Sequence, residues 1–172
     1  MDERLYPFYA TAIGCGLRLG ELLALDFSDV NFQAGTISVK RDLQYIQGRG
    51  LVIGEPKSDK SKRSVVMPSF VATALREHHL KTGKVSGFVF ATSNGTPFSP
   101  RNIQRHFKKT LEKAGLPQVN FHSLRHFTAT SLLLSGVHPK VVQEMLGHSS
   151  VTTTLQTYYH CVDRSLNLSF LP

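Results

Sequence analysis

A block of short β-rich runs interrupts an otherwise helical chain, and this change of pattern constrains the fold more than any other feature. The runs are "TISVK", "LVIG" and "RSVVM", separated by Gly, Asp and Lys residues typical of turns. Apolar residues at helical spacing lie on both sides of the block. The pattern predicts a mainly helical α+β domain with a small three-stranded antiparallel sheet, in which "KSDKSKR" is the turn before the last strand.

Start and stop residues delimit the helices. The first segment places Leu5, Tyr9, Ile13 and Leu17 at helical spacing, and a second short helix begins near Gly20. The last third of the chain predicts three helices, at residues 123–134, 139–146 and 151–159.

Two helices in the middle of the chain carry clearer signals. One begins at Pro68 and ends near Gly83, with Phe70, Ala74 and Leu75 predicted on its inward side. The other has Ser99 as N-cap and Pro100 at its first position, and it ends at Gly115. Its predicted inward residues are Ile103, Phe107 and Leu111.

Size and charge limit the classes of protein to consider. The chain has 172 residues, enough for one domain, and 20 Lys and Arg against 12 Asp and Glu give a formal net charge of +8. This excess favours a polyanionic partner, most often nucleic acid, although a merely soluble basic protein is the alternative. The chain has two cysteines and shows no N-terminal leader, so we expect an intracellular setting. The longest apolar runs fall far short of the roughly 20 residues needed to cross a bilayer, so we expect no membrane insertion.

The stretch "FHSLRHFTAT" places three basic residues at the start of a predicted helix. His122, Arg125 and His126 are three and four positions apart and therefore share one helix face. A helix N-terminus presents unpaired N–H groups, so Arg125 there could complete a phosphate site. A surface arginine with two ordinary histidines is the alternative. A zinc site is disfavoured, because no glutamate lies in the H-E-x-x-H position and neither cysteine is near in sequence.

Two further stretches contain residues that could carry chemistry. In "GLRLGELLAL", Arg18 lies in an apolar stretch and needs an anionic partner, either a ligand or Glu21 three residues later. In "LGHSSVTTTLQTYYH", His148 follows a helix-ending glycine and precedes two adjacent tyrosines. Tyrosine has an ordinary pKa near 10, so it becomes a nucleophile only when a base and cations surround it. Half-buried structural aromatics are the alternative interpretation.

These motifs together resemble the catalytic domain of the tyrosine recombinase (phage integrase) family. "GLRLGEL", "PKSDKSKRSVVMP", "HSLRHFTAT" and "LGHSSVTTTLQTYYH" occur in the family's order and approximate spacing over nearly the whole chain. The resemblance implies a recombinase that cuts and rejoins DNA through a 3′-phosphotyrosyl intermediate, with no cofactor and no metal.

The resemblance also implies a role for each matching residue. It assigns Arg18 and Arg125 to neutralising the phosphate, and His122 and His148 to hydrogen-bonding its oxygens. His122 could in addition accept the tyrosine proton. Lys57 would protonate the leaving 5′ oxygen, although Lys60 and Lys62 leave that placement open, and Tyr158 would be the nucleophile, with Tyr159 as the second choice.

Two basic stretches are expected to contact DNA phosphates. The hairpin stretch comprises Lys57, Lys60, Lys62 and Arg63. The helical stretch comprises Arg101, Arg105 and Lys108, which share one face at i, i+4 and i+7, and a solvated helix face is its alternative.

The resemblance leaves the organisation of the protein as a set of expectations. Family members usually carry an N-terminal DNA-gripping domain, so residues 1–172 are expected to be the catalytic domain alone, binding DNA weakly and with strong salt dependence. The tail "VDRSLNLSFLP" is expected to dock on a neighbouring subunit in a tetramer on DNA, with a monomer possible in isolation. We expect a cytoplasmic, nucleoid-associated protein. The competing functions are a type IB topoisomerase and a non-catalytic helix-turn-helix module.

Overall fold

The computed structural model describes residues 5–55 and 62–156. The helices with assigned bounds are α1 (Tyr6–Cys15), α2 (Leu19–Leu23), α3 (Ser69–Thr82), α4 (Pro100–Lys113), α5 (Ser123–Leu134) and α6 (Pro139–Leu146). The strands are β1 (Val30–Asn31), β2 (Thr36–Val39), β3 (Asp42–Ile46), β4 (Gly50–Gly54) and β5 (Arg63–Val66). Residues 151–156 are also helical. The predicted mainly helical α+β class is confirmed.

The strands form two small antiparallel sheets. The first has three strands in the order β1-β2-β5, with Val39 paired to Arg63, and it contains two of the three predicted runs, "TISVK" and "RSVVM". The second is a hairpin of β3 and β4. The prediction that "LVIG" belongs to the same sheet as the other two runs is therefore wrong, because this run pairs with β3, which the sequence pattern did not reveal.

The middle helices confirm most of the sequence pattern. Ser99 is the N-cap residue of α4, Pro100 begins the helix, and the three predicted inward residues of α4 are buried. Gly83 ends α3 in the left-handed conformation at φ 63°. One assignment on α3 is wrong, because Phe70 is 45% exposed, whereas its neighbour Val71 is fully buried. The other two predicted inward residues, Ala74 and Leu75, are buried, so the error is confined to Phe70.

Helix α1 lies at the centre of the fold, and its C-terminal end lies beside α5 and α6. Phe8 on α1 is fully buried and makes ring contacts with Phe90 and Phe121. The helix packs against α3 on one side and α5 on another, while α6 packs on β5. Burial of these rings stabilises the domain. The chain that leaves α1 therefore meets the N-terminal end of α5.

Two glycines allow close packing where the chain leaves α1. Gly16 ends the helix with φ 60°, and a Cβ there would lie 2.5 Å from the side chain of Leu146. A Cβ on Gly20 would lie 2.6 Å from the carbonyl oxygen of Leu43 on β3. Only glycine fits at such separations, so the chain from the end of α1 into α2 packs tightly against α6 and β3.

Within the described part of the chain, no helix is long and apolar enough to cross a membrane.

Candidate active site

Arg18 lies between α1 and α2 and is held by two partners. Its Nη1 donates to Oε1 of Glu21 at 2.8 Å, and its Nη2 donates to the carbonyl oxygen of Gly147 at 3.0 Å. The side chain remains 38% exposed. The salt bridge to Glu21 considered from the sequence is present, yet the guanidinium also reaches across 129 residues of sequence to the end of α6. Arg18 therefore has an exposed part that a ligand can contact.

Arg125 lies in the first turn of α5 and is 2% exposed. Its Nη1 donates to the carbonyl oxygen of Gly16 at 2.7 Å, and its Nη2 donates to that of Leu146. Since Arg18 bonds to Gly147, the two guanidinium groups meet at adjacent carbonyls. Burial, and then the charge of Arg18, lower the pKa of Arg125 to about 9. Two cations so close together, with one of them buried, form a site that favours an anion.

Glu21 is the carboxylate at the centre of this cluster and is 4% exposed. Burial by itself would raise the pKa of Glu21, but hydrogen bonds and charges from Arg63 and Arg18 outweigh burial and lower it to about 2. The carboxylate is therefore ionised at neutral pH. It stabilises both arginines in fixed positions.

Arg63 corrects one of the sequence expectations. Its side chain is 6% exposed and forms an ion pair with Glu21 at 2.9 Å, so it does not lie on a DNA-facing surface. Its neighbour Lys62 does lie at the surface, and there it forms an ion pair with Glu55. The alternation of β5 contained the signal, because Arg63 shares its strand face with Val65, which is fully buried.

His122 is the N-cap residue of α5 and lies on the same side as Arg125. Its ring contacts that of His126 edge to face, with 4.6 Å between centroids. Loss of water from the ring, and then the charges of His126 and Arg125, lower the pKa of His122 from its ordinary value. The imidazole is consequently neutral at pH 7, which is the form that can accept a proton.

His148 follows Gly147, which ends α6 at φ 67°. Its Nδ1 forms a 2.9 Å hydrogen bond with Oγ1 of Thr154, a fully buried residue. Burial, and then the charges of Arg125 and Arg18, lower the pKa of His148 to about 4. A neutral His148 held by Thr154 leaves its other ring nitrogen available to a ligand. The Thr-rich turn gave no specific sequence signal for the Thr154 contact.

An open cavity of about 170 Å³ lies beside Arg125 and His122. It is lined by Leu17, Leu19, Gln104, Asn120, Phe121, His122 and Arg125. Gln104 belongs to α4, at the edge of the face that carries the three predicted basic residues. All three of these, Arg101, Arg105 and Lys108, are exposed. The basic face of α4 therefore borders the cavity, and among the described residues none of the three is ion-paired with a carboxylate.

Several predicted site residues lie outside the described residues. These are Lys57, Lys60, Tyr158 and Tyr159. Across residues 5–55 and 62–156, no three His, Cys, Asp or Glu side chains are grouped so that they could hold a metal ion.

In this mainly helical α+β fold, Arg18, Arg125 and His122 lie close enough to His148 for their charges to lower its pKa, which is the arrangement expected of a tyrosine recombinase catalytic domain. Residues 2–164 match the phage integrase family. The chain belongs to that family, which confirms the resemblance inferred from its motifs.

Named relatives and solved structures are similar to most of this chain. It is 34% identical to a XerC-like tyrosine recombinase of Caldanaerobacter subterraneus subsp. tengcongensis, covering 94% of this chain and 47% of that protein. It is 37% identical to XerD of Corynebacterium glutamicum, covering 89% of this chain and 47% of the relative. The chain thus spans about half the length of these curated relatives.

The structural comparisons give the same result for the fold. The Tn1549 transposon integrase in complex with transposon right end DNA superposes with a TM-score of 0.81 at 29% identity, covering 91% of this chain and 54% of that chain. The XerA recombinase superposes with a TM-score of 0.75 at 30% identity, covering 99% of this chain and 59% of that chain.

The low pKa of His148 predicts acid destabilisation of the free protein. Its folded-state pKa is about 4, against an ordinary value of 6.5. Between these values the unfolded chain binds more protons, so the free energy of unfolding falls as the pH falls through this window. Because the side chain is only partly buried, solvent screening reduces the effect, and we expect His148 to account for a loss of roughly 1–2 kcal/mol. Urea unfolding at pH 7 and at several lower values measures it.

A matched variant separates this effect from other acid effects. The free energy of unfolding of His148→Gln should vary less between about pH 4 and pH 6.5 than that of the parent, because glutamine does not titrate. Glu21 contributes in a lower window, since its pKa falls from 4.5 to about 2 and its stabilisation is lost only there. An identical pH dependence for the parent and His148→Gln would contradict the assignment to His148.

Proposed function

We propose that this chain is the catalytic domain of a site-specific DNA recombinase, which cuts and rejoins DNA strands through a 3′-phosphotyrosyl intermediate. The observation that carries the proposal is the meeting of Arg18 and Arg125 at the adjacent carbonyls of Leu146 and Gly147. These arginines are 107 positions apart in sequence, from 18 to 125, yet the charges of both lower the pKa of His148, and Arg125 lines the cavity together with His122. The names of the relatives as recombinases and integrases support the same reaction.

The reaction requires charge neutralisation at a phosphodiester. Attack on phosphorus gathers negative charge on the nonbridging oxygens, and paired N–H donors from arginines stabilise that charge. Arg18 and Arg125 supply these donors. His122 and His148 are neutral at pH 7 and hydrogen-bond the same oxygens, while His122 is also the candidate acceptor of the tyrosine proton.

Two groups complete the proposed chemistry from outside the described residues. Tyr158 Oη attacks phosphorus, and the bond to the 5′ oxygen breaks as the phosphotyrosyl bond forms. Lys57 donates the proton that this leaving oxygen takes up. A second 5′ hydroxyl then reverses the step and rejoins the strand, so the bond energy is conserved without ATP or a metal.

The structure weighs against a simple helix-turn-helix module. In such a module, the turn after α6 serves only to orient the second helix. Here the carbonyl oxygens of Leu146 and Gly147 in that turn accept hydrogen bonds from Arg125 and Arg18. The turn therefore holds the two arginines that we propose bind the phosphate. The relatives are named recombinases and integrases, which favours recombination over the topoisomerase alternative.

A covalent adduct is the direct test of the proposed reaction. The chain is incubated with a pool of labelled, nicked duplexes of random sequence, in which the short cleaved fragment diffuses away and traps the intermediate. We expect a labelled protein that survives denaturation, and sequencing of the trapped DNA would identify the preferred site. No adduct over the whole pool would contradict the proposal, since a repressor or a structural module forms none.

We propose that the basic face of α4 lies along the DNA backbone beside the cavity. Changing Arg101, Arg105 and Lys108 together to glutamine should flatten the dependence of log K on log salt by about 2–3, because each lost phosphate contact removes about 0.9 from the slope. Fluorescence anisotropy with one duplex at several salt concentrations measures it. The matched control changes Lys81, Lys84 and Arg76, which lie on other elements, and should keep the parental slope. Equal slopes for the α4 variant and the parent would show that this face is only solvated.

The remaining expectations about the whole protein stay proposals. We propose that residues 1–172 act as the catalytic unit of a tetramer on two DNA sites, joined by exchange of the tail at residues 162–172. This tail lies outside the described residues. Lys60 is proposed to contact DNA from the hairpin, and the protein is proposed to work in the cytoplasm on nucleoid DNA. Crosslinking of the DNA-bound protein, with and without the tail, tests the assembly.

A further inference from the structure

Arg63 has an unusual set of contacts for a residue at the edge of a basic hairpin. Its Nη1 and Nη2 each donate at 2.9 Å to a different oxygen of Glu21, forming a bidentate pair. Its Nε donates at 2.7 Å to the carbonyl oxygen of Met145. Arginine can make all three bonds at once because its donors form a planar fork. The side chain thus ties β5 to α2 and to the end of α6.

The first consequence concerns the charge of Arg18. Glu21 is buried and ionised, so it needs a cationic partner inside the fold. Both of its oxygens accept from Arg63, while one of them also accepts from Arg18 Nη1. Arg63 therefore balances the carboxylate, and the positive charge of Arg18 stays available to a phosphate. Without Arg63, Arg18 would have to balance the charge of Glu21 by itself.

The second consequence concerns the turn after α6. Arg63 bonds to the carbonyl oxygen of Met145 in the last turn of α6, and its Cδ and Nη1 lie 3.1 and 3.2 Å from where a Cβ on Gly147 would be. The same turn presents the carbonyl that holds Arg18, and it leads directly into His148. Arg63 thus packs against the segment that positions Arg18 and His148, two of the proposed phosphate ligands.

We propose that Arg63 is a positioning residue for the phosphate site: it balances the charge of Glu21 so that Arg18, which shares this carboxylate, keeps its exposed part and its charge available to the scissile phosphate, and it fixes the turn that leads into His148. The inference rests on the proposed function of the site. It replaces the expectation that Arg63 contacts DNA itself.

The experiment compares Arg63→Gln, Arg63→Lys and the double variant Glu21→Gln/Arg63→Gln. Single-turnover cleavage is measured at saturating protein on one duplex from the trapped pool, and binding is measured separately on the same duplex. We expect Arg63→Gln to slow cleavage about 100-fold while its DNA affinity stays within about 3-fold of the parent. Adding Glu21→Gln should restore cleavage at least about 10-fold, because it removes the charge that captures Arg18. Arg76→Gln, which removes an exposed arginine bonded to the carbonyl of Phe32, is the control and should cleave like the parent.

Each outcome separates this inference from simpler ones. Parental cleavage by Arg63→Gln would overturn it. So would an additive loss in the double variant, since a packing role predicts no rescue by Glu21→Gln. A loss of DNA binding equal to the loss of cleavage would support the original expectation that Arg63 contacts DNA directly. If Arg63→Gln does not fold, Arg63→Lys decides, with slower cleavage at unchanged affinity expected. Absence of any adduct from the parent chain would overturn the proposed function itself, and this inference with it.

Discussion

Replacing Tyr158 by phenylalanine is expected to abolish the covalent DNA adduct completely, whereas Tyr159→Phe should retain it. The change removes one oxygen, the atom that forms the phosphotyrosyl bond, so no slower version of the same reaction remains. DNA binding by Tyr158→Phe should be unchanged, because the arginines and histidines of the site are intact. The measurement is the labelled adduct on a denaturing gel, together with anisotropy on the same duplex.

The paired tyrosines make this a matched comparison, since both variants lose the same atom at adjacent positions. Loss of the adduct in Tyr159→Phe alone would transfer the nucleophile to Tyr159 and leave the reaction class standing. An adduct that persists in both single variants and in the double variant would exclude both Tyr158 and Tyr159 as the nucleophile. Parental affinity in each variant shows that the protein is folded.

The parts of the fold that could be predicted from sequence are those with local signals. The proline and glycine at the ends of α3 and α4 are required by helix geometry, so their bounds follow from a few residues. Strand β3 has no such signal, because only Leu43 on it is buried and its remaining positions are partly or fully exposed. Such a strand exists because β4 pairs with it across a short turn, and this pairing does not appear in the hydrophobic periodicity of β3 alone.

The candidate site also has parts that the sequence could predict and parts that it could not. The positions of Arg18, His122, Arg125 and His148 came from the family resemblance, and the structure brings all four to one region. The hydrogen bonds of the two arginines to carbonyl oxygens span up to 129 residues of sequence, so no local pattern contains them. The role of Arg63 was missed because a run of lysines suggested a surface, whereas strand alternation placed it beside Val65 inside the protein.

Arg125→Lys is expected to reduce DNA cleavage by about 100- to 1,000-fold, the loss typical of removing a preorganised donor from a transition-state site. Arg125 is 2% exposed and bonds to the carbonyl oxygens of Gly16 and Leu146. A lysine keeps the charge but has a single ammonium group, which cannot bond to both carbonyls and also present paired donors to a phosphate. Leaving one buried carbonyl unsatisfied should also lower the free energy of unfolding by about 1–3 kcal/mol.

The two effects can be separated because they depend on different conditions. Cleavage is compared at a temperature well below the unfolding midpoint of the variant, so that loss of stability does not reduce the folded fraction. Arg76→Lys provides the control, since it makes the same substitution at an exposed arginine that also bonds to a carbonyl, that of Phe32, but lies away from the cavity. We expect parental cleavage and stability from the control. If the Arg125 variant cleaved DNA as fast as the control while losing stability, Arg125 would only connect α1, α5 and α6, and the phosphate would have to be neutralised by other cations.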